Sequence, residues 1–291
     1  MGALGIAQIS KASFKILKCF KFKNCKFANQ SRVLEVGKKI FFASDFHLGI
    51  PNRETSLERE KKIVAWLDCI KEEAEEIFLV GDIFDFWFEH VHTVPKGFVR
   101  LLGKLAELSD TGIKITLFTG NHDMWMFDYL KKELGVEIFR VPIERTFNGK
   151  LFLIGHGDGL GPGDFWYKVL KWICENKVCQ WLFARLHPNF SFAFGHYCSR
   201  KSRISTGKSD TEYLGDEKEF LVRFCKSALL KKQYDYFVFG HRHLPLEIQI
   251  EKSVYVNLGE WVNYCTFAEF DGKNLQMKIF DGEIKEWKKE R

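Results

Sequence analysis

The chain has 291 residues, of which 46% are apolar, and a formal net charge of +6. This length suffices for one large domain with its own core. The sequence contains no run of about 18 uncharged apolar residues, so no transmembrane helix is predicted. The eight cysteines are scattered without a Cys-x-x-Cys pair. This pattern favours free thiols in a reducing cytoplasm over a disulfide framework.

The positive charge is concentrated at the beginning of the chain. Residues 1–34 contain seven basic side chains and no acidic one, which leaves 37 basic and 38 acidic side chains in the remainder. The globular part is therefore not expected to bind nucleic acid. We predict that residues 1–38 are a basic, disordered extension and that one domain occupies residues 39–291. The alternative for the extension is an amphipathic segment that contacts an anionic membrane.

The first motif follows a short apolar strand at residues 39–44. This strand ends in Asp45 and His47, which lie two positions apart and share one face if the segment is extended. A carboxylate and an imidazole together suit Mn²⁺, Fe²⁺ or Zn²⁺. The alternative is a helix N-cap aspartate beside a solvated histidine.

The second motif follows a helix predicted over residues 54–74, where apolar side chains recur at helical spacing. The strand 77–80 comes next and ends in Gly81 and Asp82. Glycine lets the backbone pass close to a ligand. A carboxylate can bridge two cations, because each of its oxygens can serve one metal.

A third strand, residues 113–119, follows a helix predicted over 96–110. It leads into Gly120-Asn121-His122-Asp123, where Asn121 offers a neutral amide oxygen as a ligand. We assign His122 and Asp123 to catalysis. His122 is expected to face the substrate phosphate, and Asp123 is expected to fix its tautomer and orientation. The alternative is an ordinary turn, which these residue types favour.

Two more strands end in histidines. Strand 150–154 leads to His156, which lies between two glycines, and strand 236–239 leads to His241 and His243. A helix is predicted over 212–232. Residues 165–209 break the alternation of strands and helices: they are rich in aromatic side chains and end in a basic run, Ser199 to Arg203. We interpret them as a helical cap over the site rather than a hairpin packed on the core. Four strand-like segments follow, at 246–250, 253–258, 265–270 and 274–280.

Seven candidate metal ligands thus follow apolar strands. They are Asp45, His47, Asp82, Asn121, His156, His241 and His243. Ligands gather beyond the carboxyl ends of strands in α/β folds. Seven nitrogen and oxygen donors are too many for one catalytic ion that keeps an open position. They suit two ions that share a carboxylate, hold a bridging hydroxide and clamp a phosphoryl group for in-line attack. The sequence motifs for nucleotide-driven work, dinucleotide redox chemistry and serine hydrolysis are absent.

The ordered set of motifs resembles the calcineurin-like metallophosphoesterase superfamily. The motifs are Asp45-x-His47, Gly81-Asp82, Gly120-Asn121-His122-Asp123, Gly155-His156 and Gly240-His241-Arg242-His243. The resemblance implies an α/β fold, a four-layer αββα sandwich of two mixed sheets. It also implies two divalent-ion sites that share Asp82. Asp45, His47 and His243 would complete one site, and Asn121, His156 and His241 would complete the other.

Residues 39–270 are similar, more narrowly, to the UDP-2,3-diacylglucosamine diphosphatases, in particular to the forms found in Bacteroidetes. The similarity rests on Phe84-Asp85-Phe86-Trp87, on the stretch from His156 to Asp164 and on the helical insertion at about 164–209. This family implies cleavage of the pyrophosphate bond of UDP-2,3-diacylglucosamine to UMP and 2,3-diacylglucosamine 1-phosphate in lipid A biosynthesis, with Mn²⁺ as the usual ion. We expect a monomer bound peripherally to the cytoplasmic face of the inner membrane.

The insertion fits such a substrate. Two acyl chains need an apolar groove, and a diphosphate needs cations. By family position, the substrate-binding residues are Asp164, Tyr167, Ser202, Arg203 and Lys208.

One position departs from the narrower family. Its well-known members carry Arg where this chain has His122, whereas the wider superfamily has His. We assign His122 to transition-state stabilisation, with general-acid work as an option. The departure leaves open a phosphodiesterase or phosphatase that acts on another phosphoester, such as a nucleotide or a phosphoprotein. A metal-binding scaffold without catalysis is disfavoured by the complete ligand set.

Overall fold

The computed structural model describes residues 30–161, 165–206, 213 and 215–288. In chain order the strands are β1 (Gln30–Arg32), β2 (Lys39–Ala43), β3 (Ala74–Val80), β4 (Lys114–Phe118), β5 (Glu137–Phe139), β6 (Ile143–Phe147), β7 (Lys150–Gly155), β8 (Tyr236–Phe239), β9 (Pro245–Ile250), β10 (Ser253–Leu258), β11 (Thr266–Phe270), β12 (Leu275–Phe280) and β13 (Ile284–Glu286). The helices are α1 (Arg53–Ile70), α2 (Val99–Asp110), α3 (Tyr129–Leu134), α4 (Phe165–Glu175), α5 (Lys177–Phe183), α6 (Pro188–Thr206) and α7 (Phe220–Leu229).

The strands form two mixed sheets. The seven-stranded sheet has the order β13–β12–β11–β2–β3–β4–β5, and the six-stranded sheet has the order β1–β6–β7–β8–β10–β9. The strands from β2 to β5 pair in parallel, as do β7 with β8 and β8 with β10, whereas β11, β12 and β13 pair antiparallel. The carboxyl ends of the parallel strands therefore lie at one edge of each sheet.

Alternation of side chains along the strands produces the layers. On β2, Phe41 belongs to the core shared with α1 and α2, whereas its neighbour Phe42 lies between the sheets. The Phe42 ring is stacked 5.1 Å from Phe78 of β3 and 6.0 Å from Phe152 of β7, centroid to centroid. On the other side of the molecule, Phe239 of β8 packs with apolar residues of α7. The order helix, sheet, sheet, helix confirms the predicted four-layer αββα sandwich.

Several helices begin or end at other residues than predicted. The helix predicted over 54–74 ends at residue 70, because residues 74–80 already pair with β2 as β3. The helix predicted over 96–110 begins at Val99, and that predicted over 212–232 is confined to Phe220–Leu229 within the described residues. In each case the spacing of apolar residues that predicts a helix extends beyond the residues whose backbone hydrogen bonds are helical.

The folded part begins before residue 39. Gln30–Arg32 forms β1, which pairs in parallel with β6, and Arg32 Nε lies 3.2 Å from Glu75 Oε1. The extension predicted for residues 1–38 therefore overlaps the fold, because a three-residue edge strand carries too little alternation to be recognised in the sequence. Residues 1–29 lie outside the described residues.

Within the predicted insertion at about 164–209, the described residues form α4, α5 and α6, which we call the cap. Its main anchor is Phe86, which follows β3: the Phe86 ring lies 6.3 Å from the ring of Phe183 and 6.2 Å from that of Phe192. Gly195 of α6 packs so closely on Phe86 that a Cβ there would clash with the ring. Among the described residues, no helix combines the length and the apolar character needed to cross a membrane.

Candidate metal centre

The polar motifs converge where the parallel strands of both sheets end. Asp45 N donates to Gly81 O (3.0 Å), and Ser44 Oγ lies 2.9 Å from Val80 O. These contacts join the loops after β2 and β3. His156, after β7 in the other sheet, reaches across with its Nδ1 2.8 Å from the same Val80 carbonyl. The packing of the two sheets thus assembles one site from five loops.

Four of the seven predicted ligands have left-handed backbones. The φ angles are 56° at Asp45, 45° at His47, 52° at Asp82 and 68° at His241. A non-glycine residue in such a conformation costs about 1–3 kcal/mol and persists only where the surroundings impose it. The loops are therefore held in the conformation that directs these side chains to one place.

Two glycines make the close packing possible. Gly81 has φ +89°, and a Cβ at this position would lie 2.5 Å from His156 Nδ1. A Cβ on Gly240 would lie 2.6 Å from Asp45 Oδ2. Both distances are shorter than any side chain tolerates, so the glycines next to the ligands are required by the approach of other ligands.

Asp45, His47 and His243 form the first cluster of potential ligand atoms. His47 Nε2 lies 3.1 Å from His243 Nε2, and Asp45 Oδ1 lies 3.5 Å and 3.6 Å from these two nitrogens. Asp45 Oδ2 accepts hydrogen bonds from Ser44 Oγ (2.5 Å) and His241 N (3.0 Å). Within the described part of the chain, Asp45 Oδ1 is buried and accepts no hydrogen bond, so one oxygen is held by the protein and the other is available to a cation.

Asp82, Asn121, His156 and His241 form the second cluster. Asn121 Oδ1 lies 2.8 Å from His241 Nδ1 and 3.3 Å from His156 Nε2, which is itself 3.4 Å from Asp82 Oδ2. Because the Val80 carbonyl can only accept, His156 Nδ1 carries a proton, and Nε2 is the nitrogen that can ligate a metal ion when it gives up its own proton. One carboxylate oxygen of Asp82, one of Asp45 and one ring nitrogen of His156 also lie within 4.8 Å of one another. Asp82 therefore lies between the two clusters.

The charges at the site are strongly coupled. Burial, and to a smaller extent the charge of Asp82, raises the pKa of Asp45 to about 8, against the opposing effect of His156. Burial would lower the pKa of His156, but Asp82 and Asp45 outweigh it and raise this pKa to about 10. Burial would raise the pKa of Asp82, yet His156 and His122 hold it well below its usual range. Divalent cations compete with protons for these same lone pairs.

The residues present fit divalent metal ions. A buried carboxylate oxygen without a hydrogen bond lies beside two imidazole nitrogens in one cluster, and the second cluster adds an amide oxygen, a carboxylate and two imidazoles. Such mixed nitrogen and oxygen donors suit Mn²⁺, Fe²⁺ or Zn²⁺. All seven predicted ligands lie in these clusters, in the division expected from the superfamily. When bound, divalent ions supply Lewis-acid chemistry, which neutralises phosphoryl charge and lowers the pKa of water.

His122 lies at the edge of both clusters. Its backbone N–H donates to Asp82 Oδ1 (2.8 Å), and its ring lies 5.2 Å from that of His47. The ring Nδ1 lies 3.1 Å from the Asp85 carbonyl oxygen and 3.0 Å from Ser199 Oγ of the cap. This position is compatible with the predicted contact between His122 and a substrate phosphate.

The orienting role predicted for Asp123 is wrong. Both of its carboxylate oxygens accept hydrogen bonds from backbone N–H groups, those of Gly120 (2.7 Å), Ile83 (2.8 Å) and Phe84 (3.3 Å). Asp123 therefore joins the loops after β3 and β4. The reason is that a buried carboxylate is stabilised best by several backbone donors, and the turn supplies them.

The predicted substrate-binding residues are only partly described. Tyr167 of α4 donates its hydroxyl to Asp158 Oδ2 (2.7 Å), and its ring lies 6.3 Å from the ring of His241. Ser202 is exposed on α6. Asp164, Lys208 and the side chain of Arg203 lie outside the described residues.

Sequence reasoning missed several residues that support the site. Asp158 accepts from Lys171 Nζ (2.5 Å) as well as from Tyr167, which links α4 to the loop after β7. Burial would raise the pKa of Asp158, but Lys171 and then His156 lower it. Glu219 forms a buried ion pair with Arg242, which lies between His241 and His243 in the chain. Asp158 lies in the stretch from His156 to Asp164 on which the narrower similarity rests, and that stretch could have indicated it, whereas nothing local marked Lys171 or Glu219.

Comparison with known proteins supports the geometry. The family model described as calcineurin-like phosphoesterase matches residues 38–245. A protein of Porphyromonas gingivalis named UDP-2,3-diacylglucosamine hydrolase is 38% identical over 261 residues, which cover 84% of this chain and 98% of that protein. A Histophilus somni protein of the same name is 26% identical over 248 residues, which cover 82% of this chain and 99% of that protein.

Among solved structures, a phosphoesterase from E. coli is 17% identical, with 84% of this chain and 96% of that chain covered at a TM-score of 0.40. The match of the family model over most of the chain and the identity to the P. gingivalis protein confirm the resemblance predicted from the motifs. The chain belongs to the calcineurin-like phosphoesterase family and is a metal-dependent hydrolase.

Proposed function

We propose that this protein hydrolyses the pyrophosphate bond of UDP-2,3-diacylglucosamine, giving UMP and 2,3-diacylglucosamine 1-phosphate, as a step of lipid A biosynthesis. The observation that carries the proposal is the similarity, along nearly its whole length, to the P. gingivalis protein named UDP-2,3-diacylglucosamine hydrolase. A complete set of seven ligands and an apolar cap beside them support it.

The chain's own residues have separate tasks in this reaction. The two clusters, with Asp82 between them, would hold two divalent ions, for which we propose Mn²⁺. His122 holds a proton on Nδ1, because the Asp85 carbonyl can only accept. Its other nitrogen, Nε2, is the one that can contact the substrate phosphate; with a second proton on this nitrogen, the imidazolium stabilises negative charge in the transition state or protonates the leaving group. A phosphate monoester is already a fair leaving group, so charge stabilisation is sufficient for this substrate.

The cap provides the surface for the acyl chains. Large apolar side chains of α4, α5 and α6 remain exposed: Trp172 is 61% exposed, Trp181 55% and Phe190 59%. Apolar patches of this kind mark sites for ligands or membranes. Arg185 lies 4.7 Å from the Trp181 ring and adds a cation to the patch. We propose that the cap binds the diacylated glucosamine and rests on the cytoplasmic face of the inner membrane, and that the protein acts as a monomer.

The glucosamine end of the substrate is assigned to α4. Tyr167 and Lys171 converge on Asp158, and the Tyr167 ring lies near His241 of the second cluster. A phenol and an ammonium group at this position can bind sugar hydroxyls or phosphate oxygens. Ser202, Arg203, Lys208 and Asp164 are proposed to complete this surface.

The test is turnover of UDP-2,3-diacylglucosamine in detergent micelles, followed by UMP release with added Mn²⁺ and again after chelation. Rapid release that depends on Mn²⁺ is the expected result. The thermal midpoint of the same samples reports metal binding independently of activity, because a ligand that binds only the native state raises it.

A second candidate function is favoured by His122, which stands where well-known diacylglucosamine diphosphatases carry Arg. Mn²⁺-dependent hydrolysis of bis(p-nitrophenyl) phosphate without release of UMP from the lipid substrate would support a phosphodiesterase for another phosphoester. The same result would reject the lipid A assignment and retain the metal centre.

A further inference from the structure

The hydrogen bonds around His122 end on a residue of the cap. Ser199 lies on α6, is 7% exposed, and donates its hydroxyl proton to Asp85 Oδ2 at 2.8 Å. With its proton given to this carboxylate, the Ser199 oxygen faces His122 Nδ1 at 3.0 Å as an acceptor. The carbonyl oxygen of Asp85, at 3.1 Å, is a second acceptor for the same Nδ1–H. The Nδ1–H of His122, and with it the orientation of the ring, is thus held by two acceptors, one of which belongs to the cap.

We propose that Ser199 is a positioning residue for His122, so that the docked cap completes the catalytic geometry of the metal centre. The inference rests on the proposed function in so far as His122 takes part in phosphoester hydrolysis. Asp85 is fully buried and holds the serine hydroxyl, while His122 Nδ1 lies 3.8 Å from Asp85 Oδ1. The serine bridges this gap, which is too long for a direct hydrogen bond.

Because Ser199 belongs to the cap, its contacts with Asp85 and His122 depend on where the cap lies. Helix α6 is anchored on the same side by Gly195 against Phe86, and His196 Nδ1 lies 3.8 Å from Asp85 Oδ2. A cap that moves away withdraws the hydroxyl from both Asp85 and His122. The orientation of His122 therefore depends on the position of α6 through one side chain.

The chain contains a matched control on the same helix. Ser191 is fully buried, lies two turns before Ser199, and its hydroxyl is also hydrogen-bonded to a histidine, His90, at 3.0 Å. His90 is outside both ligand clusters. Ser191→Ala therefore removes a buried hydroxyl from the cap without touching His122, and it measures any general effect of loosening α6.

The kinetic test uses the full-length protein with Mn²⁺ and bis(p-nitrophenyl) phosphate. Ser199→Ala is expected to lower kcat about 10–100-fold, as loss of an outer hydrogen-bonding partner typically does, with KM changed less than about twofold. Ser199→Thr, which keeps a hydroxyl, is expected to recover most of kcat. Ser191→Ala should leave kcat within about twofold of the wild type. An equal loss in Ser199→Ala and Ser191→Ala, or a loss expressed only in KM, would overturn the proposal.

A spectroscopic test does not depend on turnover. In ¹⁵N-histidine-labelled protein loaded with diamagnetic Mg²⁺, His122 is identified by the signal missing from His122→Gln. The wild type should show a proton on Nδ1 of His122, Ser199→Ala should shift the His122 nitrogens, and Ser191→Ala should shift those of His90 instead. Unchanged His122 signals in Ser199→Ala refute the positioning role. If the lipid substrate is not cleaved, these signals still decide the role of Ser199, so the two proposals fail separately.

Discussion

Loss of the Glu219 carboxylate is predicted to weaken both the fold and metal binding. Glu219 Oε1 lies 2.8 Å from Arg242 Nη2 and Glu219 Oε2 lies 3.1 Å from Arg242 Nε, so the pair is bidentate. The side chains are only 2% and 5% exposed. Arg242 stands between His241 and His243, one from each ligand cluster. Glu219 therefore holds the backbone from which both histidines project.

The magnitude follows from the burial. Glu219→Ala leaves a guanidinium in a buried site without its carboxylate, which costs about 3–5 kcal/mol. For a domain of this size each kcal/mol lowers Tm by roughly 2–4 °C. The expected fall in Tm is therefore about 6–20 °C. Because Arg242 then shifts, the affinity for Mn²⁺ should fall about 10–100-fold, the usual effect of losing an outer partner of a metal ligand.

The assay combines thermal unfolding by circular dichroism with titration calorimetry of Mn²⁺. Lys226→Ala is the control. It removes a pair from the same region of the chain, in which Lys226 Nζ lies 3.2 Å from Glu217 Oε1 but the side chains are 45% and 89% exposed. Exposed pairs contribute about 0–1 kcal/mol, so this variant should unfold close to the wild type and bind Mn²⁺ unchanged.

If Glu219→Ala lowered the free energy of unfolding by less than about 1 kcal/mol, the contribution of an exposed pair, this reasoning would be refuted. An unaltered affinity for Mn²⁺ would refute it as well. Replacing both partners by methionine gives a further check. An apolar pair of similar volume is often as stable as a buried ion pair, so the double variant should recover much of the stability that Glu219→Ala loses.

Two further predictions concern the centre itself. Gly81→Ala should impair Mn²⁺ binding and lower the free energy of unfolding by about 1–3 kcal/mol or more, because the new Cβ would lie 2.5 Å from His156 Nδ1. Gly112→Ala is the control for backbone strain in the same thermal melts, since Gly112 has a similar φ of +90° but open space around it. Asp82→Ala should lower kcat for bis(p-nitrophenyl) phosphate roughly 10³-fold, since several kcal/mol of transition-state stabilisation depend on the metal ions. The measurement is steady-state kinetics at saturating Mn²⁺. If Asp82→Ala kept more than about a tenth of the wild-type kcat, which corresponds to a loss of less than about 1.4 kcal/mol of transition-state stabilisation, the prediction would be wrong.

The sequence by itself determined the strand ends and the ligands that follow them. An apolar strand that ends in Asp45, Asp82 or His241 is recognisable locally, because burial and polarity change within two or three residues. The four layers were implied by the resemblance to the superfamily, whereas the structure divides Phe41 from Phe42 between two cores. Boundaries of helices were less predictable, because a periodic pattern continues past the point where the backbone changes its hydrogen-bonding partners.

Only the tertiary structure decided how these residues meet. Asp123 lies next to His122 in the chain, yet its carboxylate binds three backbone N–H groups of the loops after β3 and β4. The ring of His122 instead has the Asp85 carbonyl and Ser199 as its partners, and Ser199 is 77 positions away, on the cap. Side-chain direction depends on the φ and ψ angles that packing imposes on a loop, and hydrogen bonds between distant loops exist only after both sheets are in place. Local patterns carry neither kind of information, so the ligands can be read from the chain whereas the residues that position them cannot.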